Sequence, residues 1–474
     1  MKKISLFLFI LMLVATSFAF AEERAKEGID ITIYNQNFGL VKDRRILNMG
    51  DGTNNIRFSD VAAQIEPTSV HFKSFTNPQG CIIQEQNYEY DLVSADKLLK
   101  KYIDKKIKII ADNDKMYEGI LMSYDGENIV ISQNNDLSMV CRKDNIREIS
   151  FPELPEGLIT KPTLMWQVSN DKPGDQLTEV SYLTGGITWN ADYVVVADKD
   201  DENIDLSGWV TIDNKSGTTY KDATLKLIAG DVHRAKERED VHIDYMMMAS
   251  REGAPGAQFE EKAFFEYHMY TLQRSSTVKD NQTKQITLLS ANNVPVNKLF
   301  IYDPVDYFGR NWYRYEDRQI TKEQKIKVKL ELVNSKQNNL GMPLPKGKVR
   351  VYKKDADESL QFIGEDSIDH TPKDETVRLY LGDAFDVIGE RKKINYRVDT
   401  DAMWAEESFE ISLRNHKDSD IEVNVVEHLW RYANWKITVK THEFTKKDAQ
   451  TINFKVPVSK DSETKIAYTV KYWW

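Results

Sequence analysis

Hydrophobic and polar residues alternate with a period of two along most of the chain, most regularly in its C-terminal third. There, Ile326, Val328 and Leu330 are separated by lysines. Such alternation predicts β-strands that bury one face and expose the other. Further alternating runs cover residues 348–352, 377–381, 409–413, 421–425, 435–439, 452–458 and 466–474. Helical periodicity is almost absent, so we expect an all-β fold of β-sandwich (immunoglobulin-like) modules with few short helices.

The pattern of residues 97–151 predicts a separate unit of short strands. A short helix is expected over residues 97–102. Strands are expected around residues 107–109, 117–122, 129–131, 137–141 and 146–151. Closure into a barrel would remove their exposed edges. The run from Met116 to Leu121, followed by Tyr124-Asp125-Gly126, resembles SH3-like or Sm-like small barrels, and we expect a spacer or docking module.

The same patterns define the domain organisation. The predicted parts are an N-terminal β region (22–96), the small barrel (97–151), a central β domain (160–320) and a C-terminal β-sandwich (321–474). Within the central domain, residues 231–262 mix charges with Met246-Met247-Met248 and a glycine-rich and proline-containing run at 253–256. A long segment without alternation predicts a mobile loop rather than a packed element.

Residues 1–21 have the features of a cleavable signal peptide. Lys2 and Lys3 precede an apolar core, and Ala19-Phe20-Ala21 is a small-x-small cleavage site. The apolar run is shorter than the roughly 20 residues that span a bilayer, and no later stretch is long and apolar enough. We therefore expect a soluble periplasmic or secreted protein with no transmembrane segment after cleavage.

The net charge of the chain indicates which classes of binding partner to expect. Removal of residues 1–21 takes away two lysines and no acids, which changes the formal net charge from −10 to −12. An acidic chain repels phosphate backbones, so we expect no nucleic-acid partner. The partner that we expect instead is a macromolecule of the cell envelope or surface, because several β modules and a long loop are typical of recognition.

Two cysteines, Cys81 and Cys141, leave two alternatives open. An oxidising compartment permits a disulfide between them. Cys141 falls where the small barrel would bury an apolar side chain, and a buried free cysteine behaves as a small hydrophobic residue. Free thiols are the favoured alternative.

The strongest candidate for a metal site is the cluster Glu365, Asp366, Asp369 and His370, with Glu375 nearby. Carboxylates and an imidazole can bind a divalent metal or perform acid–base chemistry. The spacing lacks a known ligand pattern, and a polar turn at the end of a strand is the simpler interpretation.

Two weaker metal hypotheses concern calcium and copper. The acidic run Asp198, Asp200, Asp201, Glu202 and Asp205 could hold calcium, although it lacks the glycine of an EF-hand loop. The three consecutive methionines could bind Cu(I), with these residues as further ligands: His242, His268 and Met269. A solvated acidic turn and a flexible contact surface are the simpler interpretations, and the sequence indicates no specific cofactor.

Three blocks carry a resemblance to a known family. They are GGITWNADY at 185–193, LSGWVTIDN with LKLIAGDV at 206–214 and 225–232, and LGMPLPKG with GED at 340–347 and 364–366. In order and spacing these blocks resemble the domain-of-unknown-function family 4139, which includes the mucoidy inhibitor A-like proteins. The resemblance implies an exported, mainly β protein, and it implies no established activity or catalytic residues.

Three functions follow as hypotheses. Because the sequence contains no Gly-x-Ser-x-Gly elbow, complete zincin motif or phosphate loop, it favours a non-enzymatic binding or structural protein of the envelope or surface. The first alternative is a metal-dependent hydrolase that uses Glu365, Asp366 and His370. The second is an outer-membrane β-barrel-associated protein, suggested by a last strand with Ile466, Tyr468, Val470, Tyr472 and Trp474 on one face.

Overall fold

A computed structural model describes most of the chain as strands joined by short turns. The residues it describes are 26–90, 94–112, 114–133, 136–142, 146–153, 160–230, 232–234, 259–304 and 322–474. The predicted signal peptide, residues 1–21, lies outside them. In the first part of the chain the strands are β1 (Gly28–Tyr34), β2 (Phe38–Met49), β3 (Gly52–Ser59), β4 (His71–Ser74), β5 (Ile82–Glu89), β6 (Lys106–Ala111), β7 (Met116–Tyr124), β8 (Asn128–Gln133), β9 (Asp136–Cys141), β10 (Ile146–Ser150), β11 (Thr163–Asn170), β12 (Gly174–Gly185), β13 (Ile187–Ala197), β14 (Asn203–Asn214) and β15 (Tyr220–Ala229).

The second part of the chain continues the strand series. Its strands are β16 (Phe259–Phe264), β17 (Tyr267–Leu272), β18 (Ser276–Val278), β19 (Gln282–Pro295), β20 (Asn297–Tyr302), β21 (Lys322–Val333), β22 (Gly347–Lys354), β23 (Leu360–Ile368), β24 (Thr376–Asp399), β25 (Trp404–Asn415), β26 (Ile421–His428), β27 (Asn434–Lys440), β28 (Phe444–Lys446), β29 (Thr451–Val458) and β30 (Ser462–Trp473). One α-helix, α1 (Ala95–Lys101), and 3₁₀ turns at Pro67–Ser69 and Lys336–Asn338 accompany them among the described residues. The predicted all-β fold with few short helices is confirmed.

The chain divides into two compact units. The first unit contains Met1–Thr188, Asp213–Lys226 and Ser275–Gln282. The second unit contains the rest of the chain: Trp189–Ile212, Leu227–Arg274 and Thr283–Trp474. Among the described residues, no helix has the length and apolar character needed to cross a membrane.

In the first unit, two sheets pack face to face through Trp166. The first is part of an eight-stranded sheet and has the strand order β15-β1-β2-β12-β4 here, and the other has the order β3-β11-β5. The Trp166 ring on β11 lies 5.5 Å from that of Phe72 on β4, centroid to centroid, and its indole N–H donates to Gln86. A buried indole whose N–H is hydrogen-bonded contributes a large apolar contact and leaves no polar group unsatisfied. The contact between Trp166 and Phe72 therefore joins the two layers of the sandwich that the alternation predicts.

The first unit also contains a five-stranded antiparallel sheet of order β10-β6-β7-β8-β9. Its strands lie where the sequence predicts them. The helix α1 covers one face with Leu99, and Ser94 caps it by accepting a hydrogen bond from the Lys97 backbone N–H. Closure of this sheet into an SH3-like or Sm-like barrel stays a prediction.

In the second unit, a nine-stranded sheet curls into two facing layers. Its strand order is β27-β30-β25-β24-β21-β20-β26-β29-β28. Although β29 and β30 are six places apart in this order, the rings of Phe454 and Tyr468 lie 5.6 Å apart. Contact between such distant strands requires the sheet to fold over itself around a shared core. A second, five-stranded sheet in this unit has the order β19-β14-β13-β22-β23, in which β13 and β22 are parallel.

One sequence expectation differs from the structure. The predicted mobile loop 231–262 lies mostly outside the described residues, but its end is ordered, because β16 begins at Phe259. Phe259 is buried, and β16 pairs with β17 as a hairpin. The strand was missed because its residues 260–262 are all charged.

Candidate functional site

The β6–β10 sheet has an apolar inner face, and its outer face exposes several large apolar side chains. Its inner face packs around α1 in a core that contains these residues: Leu99, Tyr102, Ile107, Ile109, Leu121, Ile129, Ile131 and Val140. Its outer face carries large apolar side chains that are 44% to 71% exposed: Met116, Ile120, Met122, Leu137 and Met139. We call these five residues the outer patch. An antiparallel sheet with one solvated face normally carries polar residues there, so this surface needs an explanation.

The strand register brings the side chains of the outer patch close together. Ile120 on β7, Ser132 on β8 and Leu137 on β9 are successive partners across the sheet. In the neighbouring row, the half-buried Val130 pairs with Met139. Cross-strand partners lie about 5 Å apart, so the apolar side chains of three strands lie close together on one face, with Ser132 between Ile120 and Leu137. Contiguous exposed apolar surface marks sites of interaction.

A local irregularity in β7 shapes this surface. The β7–β8 register shifts between Leu121 and Ser123, which leaves Met122 as the extra residue of a β-bulge. Next to it, Gly119 allows a close strand approach, because a Cβ at that position would lie 2.3 Å from the Ser132 carbonyl oxygen. The bulge adds Met122 to the apolar surface, and methionine adapts its shape to a partner better than a branched side chain does.

Charges of both signs lie next to the outer patch. Lys106 and Glu118 form an ion pair with 2.7 Å between Nζ and Oε1, and Lys106 is the cross-strand partner of Ile120. The ion pair with Lys106 lowers the pKa of Glu118, so this carboxylate stays ionised. Exposed apolar side chains next to charges of both signs are the composition of a protein–protein contact.

The predicted metal cluster at residues 365–370 does not converge. Glu365 contacts Lys348 and Arg350, while the Asp366 carboxylate accepts a hydrogen bond from the Tyr380 backbone N–H at 2.7 Å. These two successive residues of β23 point to opposite faces. Among the residues that the structure describes, no group of three or more histidine, cysteine, aspartate or glutamate side chains could hold a metal ion.

His370, Asp369 and Glu375 of the same cluster lie in turns. The His370 imidazole accepts a hydrogen bond from the Lys346 backbone N–H at 3.1 Å through Nδ1. The Asp369 and Glu375 carbonyls accept hydrogen bonds from Thr371 and Asn334. The imidazole therefore holds the 340–347 turn, and the geometry gives the hydrolase hypothesis no support.

The predicted calcium-binding run is a turn held by internal hydrogen bonds and lysines. Asp198 accepts hydrogen bonds from the backbone N–H groups of Glu202 and Asn203, both at 3.0 Å. Asp201 bridges Lys298 at 2.7 Å and Lys353 at 2.5 Å. Burial raises the pKa of Asp201, but the two lysines outweigh burial and lower it overall. Asp205 accepts a hydrogen bond from the Asn293 backbone, and Asp200 is exposed.

For the predicted copper site, the structure describes only part of the ligand set. His242 and Met246-Met247-Met248 lie outside the described residues. His268 is paired with Glu261 through Nδ1 at 2.7 Å, next to Met269 on β17. The Cu(I) hypothesis therefore stays a prediction.

The two cysteines are not paired in the structure. Both Cys81 and Cys141 are free. Cys81 is buried with its Sγ 3.7 Å from the Met49 sulfur, and burial raises its thiol pKa. Cys141 is half-buried at the end of β9. Its sheet is not the one that contains Met49, the neighbour of Cys81 on β2. Each thiol has its own local packing, which the spacing of two cysteines in a sequence cannot reveal.

The aromatic last strand belongs to the core of the second unit. Four residues of its apolar face are at most 1% exposed: Ile466, Tyr468, Val470 and Tyr472. Trp474 stacks on Tyr432 with ring centroids 4.3 Å apart. This face therefore packs against the protein itself, as expected for a strand of a sandwich.

Buried ion pairs are the feature that sequence reasoning missed. In the nine-stranded sheet, Arg391 and Glu427 pair in the interior, and Glu407 pairs with Lys393 and Arg431 at 2.8 Å each. Burial raises the pKa of Glu407, but these two cations outweigh it and lower the pKa overall. The alternation within β25, where Glu407 occupies a core-facing position next to Phe409, is the only sequence signal for it.

Comparison with known proteins gives one family. A family model described as a domain of unknown function (DUF4139) matches residues 178–474. A search of curated proteins finds no match. The matched range includes the blocks at 185–193, 206–214, 225–232 and 340–347. In the structure, the Asn334 amide fixes the last block by contacting Gly341 and Met342.

Proposed function

The chain belongs to the DUF4139 family, whose function is unknown, and from this premise we propose that it is an exported, non-enzymatic protein that binds a protein of the cell envelope or surface through the outer patch. The signal-peptide features of residues 1–21 support export to the periplasm or the exterior. The observation that carries the proposal is the group of exposed apolar side chains on the outer face of the β6–β10 sheet, with Leu137 at 69% and Met139 at 71% exposure.

A protein partner fits this surface better than a lipid surface does. The Lys106–Glu118 pair puts both signs of charge on this face, next to Ile120. An anionic membrane attracts clustered cations, whereas Lys106 on this face is paired with a carboxylate. Apolar side chains and charges of both signs on one face provide both burial and orientation against another protein.

Capture from an envelope fraction tests the proposal. The bait is the chain without residues 1–21, compared with the double variant Leu137→Glu/Met139→Glu. The matched control is Leu360→Glu/Phe362→Glu, which changes two exposed side chains at the same spacing on β23. We expect the same partner with wild type and control, and its loss with the outer-patch variant.

Two results count against the proposal. Equal capture of that partner by all three proteins would show that the outer patch does not bind it. Recovery of the full-length chain in the cytoplasmic fraction, with residues 1–21 still attached, would remove the export step.

A further inference from the structure

Two tryptophans lie side by side on the outward face of the nine-stranded sheet. Trp404 on β25 and Trp473 on β30 are direct cross-strand partners. Trp473 is 45% exposed and Trp404 is half-buried. The same row continues with Asn434 on β27 and Asp399 on β24. Two further rows follow on the same face, at Glu406 with Lys471 and at Ser408 with Thr469. We call these three rows the tryptophan face.

The fold leaves these indoles no place in the core. Their chain neighbours Ala405 and Tyr472 are buried at 0% and 1% exposure on the opposite face. Because side chains alternate along a strand, burial of Tyr472 directs Trp473 outward. A tryptophan outside the core leaves a large apolar ring in water, and such rings are enriched where proteins bind other molecules.

Cations dominate the next row of the tryptophan face. Cross-strand pairing aligns Lys436, Lys471, Glu406 and Arg397. Lys471 holds its ammonium nitrogen 4.5 Å from the centroid of the Trp404 ring. Three cations against one carboxylate give this row a positive charge within a chain whose formal net charge is −10. The row is therefore complementary to an anionic ligand.

The third row is uncharged and rich in hydrogen-bonding groups. Thr469 and Ser408 are partners on β30 and β25, with their hydroxyl oxygens 2.9 Å apart, and Asn395 on β24 follows them. Hydroxyl and amide groups can each donate and accept hydrogen bonds. Aromatic, cationic and hydroxyl-bearing rows thus lie next to one another on one sheet face.

We propose that the tryptophan face binds an acidic polysaccharide, a chain of pyranose rings that carry carboxylates. The apolar C–H face of a pyranose ring stacks on an exposed indole, which Trp473 provides. Sugar carboxylates form charge-assisted hydrogen bonds with lysine and arginine, which the second row provides. Ring hydroxyls match the Ser408, Thr469 and Asn395 row. This site lies in the second unit, so its ligand is separate from the protein partner proposed for the outer patch.

Gel retardation and fluorescence titration of the chain without residues 1–21 test this site. The probes are polygalacturonate, neutral dextran and a single-stranded oligothymidylate. We expect binding to polygalacturonate that weakens with added salt, and little binding to dextran. Trp473→Ala should weaken binding about tenfold, the effect of removing one aromatic stacking contact. Lys436→Glu, at an exposed position, should also weaken it.

Trp209→Ala is the matched control, because Trp209 is 37% exposed on β14 of the same unit. It should bind as the wild type does, and circular dichroism establishes that each variant is folded. If Trp473→Ala is unfolded, Lys436→Glu decides the question. No binding to polygalacturonate, equal binding by Lys436→Glu and wild type, or stronger binding to the oligothymidylate would each overturn the proposal. Failure to capture a protein partner through the outer patch would not affect the proposal of polysaccharide binding.

Discussion

Arg391 and Glu427 form a bidentate ion pair inside the nine-stranded sheet. The Arg391 Nε lies 3.0 Å from both carboxylate oxygens, and one terminal nitrogen lies 2.8 Å from Oε2. The Tyr468 hydroxyl also donates to the carboxylate, and the guanidinium lies 3.7 Å from the centroid of the Phe409 ring. The pair therefore joins β24, β26 and β30, which meet only because the sheet curls.

Removal of the carboxylate should strongly destabilise the second unit. Glu427→Ala leaves the Arg391 guanidinium buried without its ionic partner, which costs roughly 3–5 kcal/mol. Glu422→Ala on the same strand breaks an exposed pair with Lys455 and should cost less than about 1 kcal/mol. Urea unfolding followed by tryptophan fluorescence compares the two variants, and equal transitions would contradict a structural role for the buried pair.

His428 should make stability depend on pH near neutrality. Its Nε2 lies 3.4 Å from Asp303, and that hydrogen bond is the main reason its pKa is raised above the usual value. A raised folded-state pKa stabilises the protein below the unfolded-state value of about 6.5, and this stabilisation is lost as pH rises through the folded pKa. His428→Gln should therefore lower the melting temperature more at about pH 5.5 than at about pH 8.5. In an Asp303→Asn background, that difference should shrink, and an unchanged difference would exclude Asp303 as the cause.

The close approach of β7 and β8 should make Gly119 sensitive to substitution. In Gly119→Ala, the added Cβ would meet the Ser132 carbonyl oxygen at 2.3 Å. Overpacking of this kind costs about 1–3 kcal/mol. Gly126→Ala in the turn before β8 places its Cβ in open space, with nothing within 4 Å, and should be nearly neutral. Thermal melting of the two variants checks the difference, and comparable melting temperatures would refute the close contact.

The two thiols should differ in reactivity. Cys81 is 5% exposed and burial raises its pKa, so little of the reactive thiolate is present. Cys141 is half-buried and should react first with iodoacetamide in the native protein. Mass spectrometry should then find two labelled cysteines after unfolding in urea without reductant. A chain that takes up no label under these conditions would reveal the disulfide instead.

The period-two pattern was sufficient to predict the strands and the fold class. In the C-terminal part, each predicted run lies in a strand, except that the last residue of the final run, Trp474, follows β30. The strands could be predicted because a strand with one buried face has apolar side chains at alternate positions, which is a local feature of the sequence. The family match to residues 178–474 agrees with the resemblance seen in the sequence. That resemblance could be recognised because each of its blocks is contiguous in sequence.

Pattern alone could not locate the outer patch or the buried charges. Ile120 and Leu121 are both apolar, so alternation does not say which of them faces the core, and only α1 covering one side decides it. Acidic clusters such as 365–370 stand out in a sequence, but their side chains point apart once β23 is formed.

The sequence by itself determined which residues form strands, because alternation is a property of neighbouring residues. Only the tertiary structure decided which strands meet, and therefore that Arg391 finds Glu427 and that Trp404 lies beside Trp473. These partners are 36 and 69 residues apart in the chain, and their contact depends on strand order, register and the curl of the sheet, which are set by packing over the whole unit.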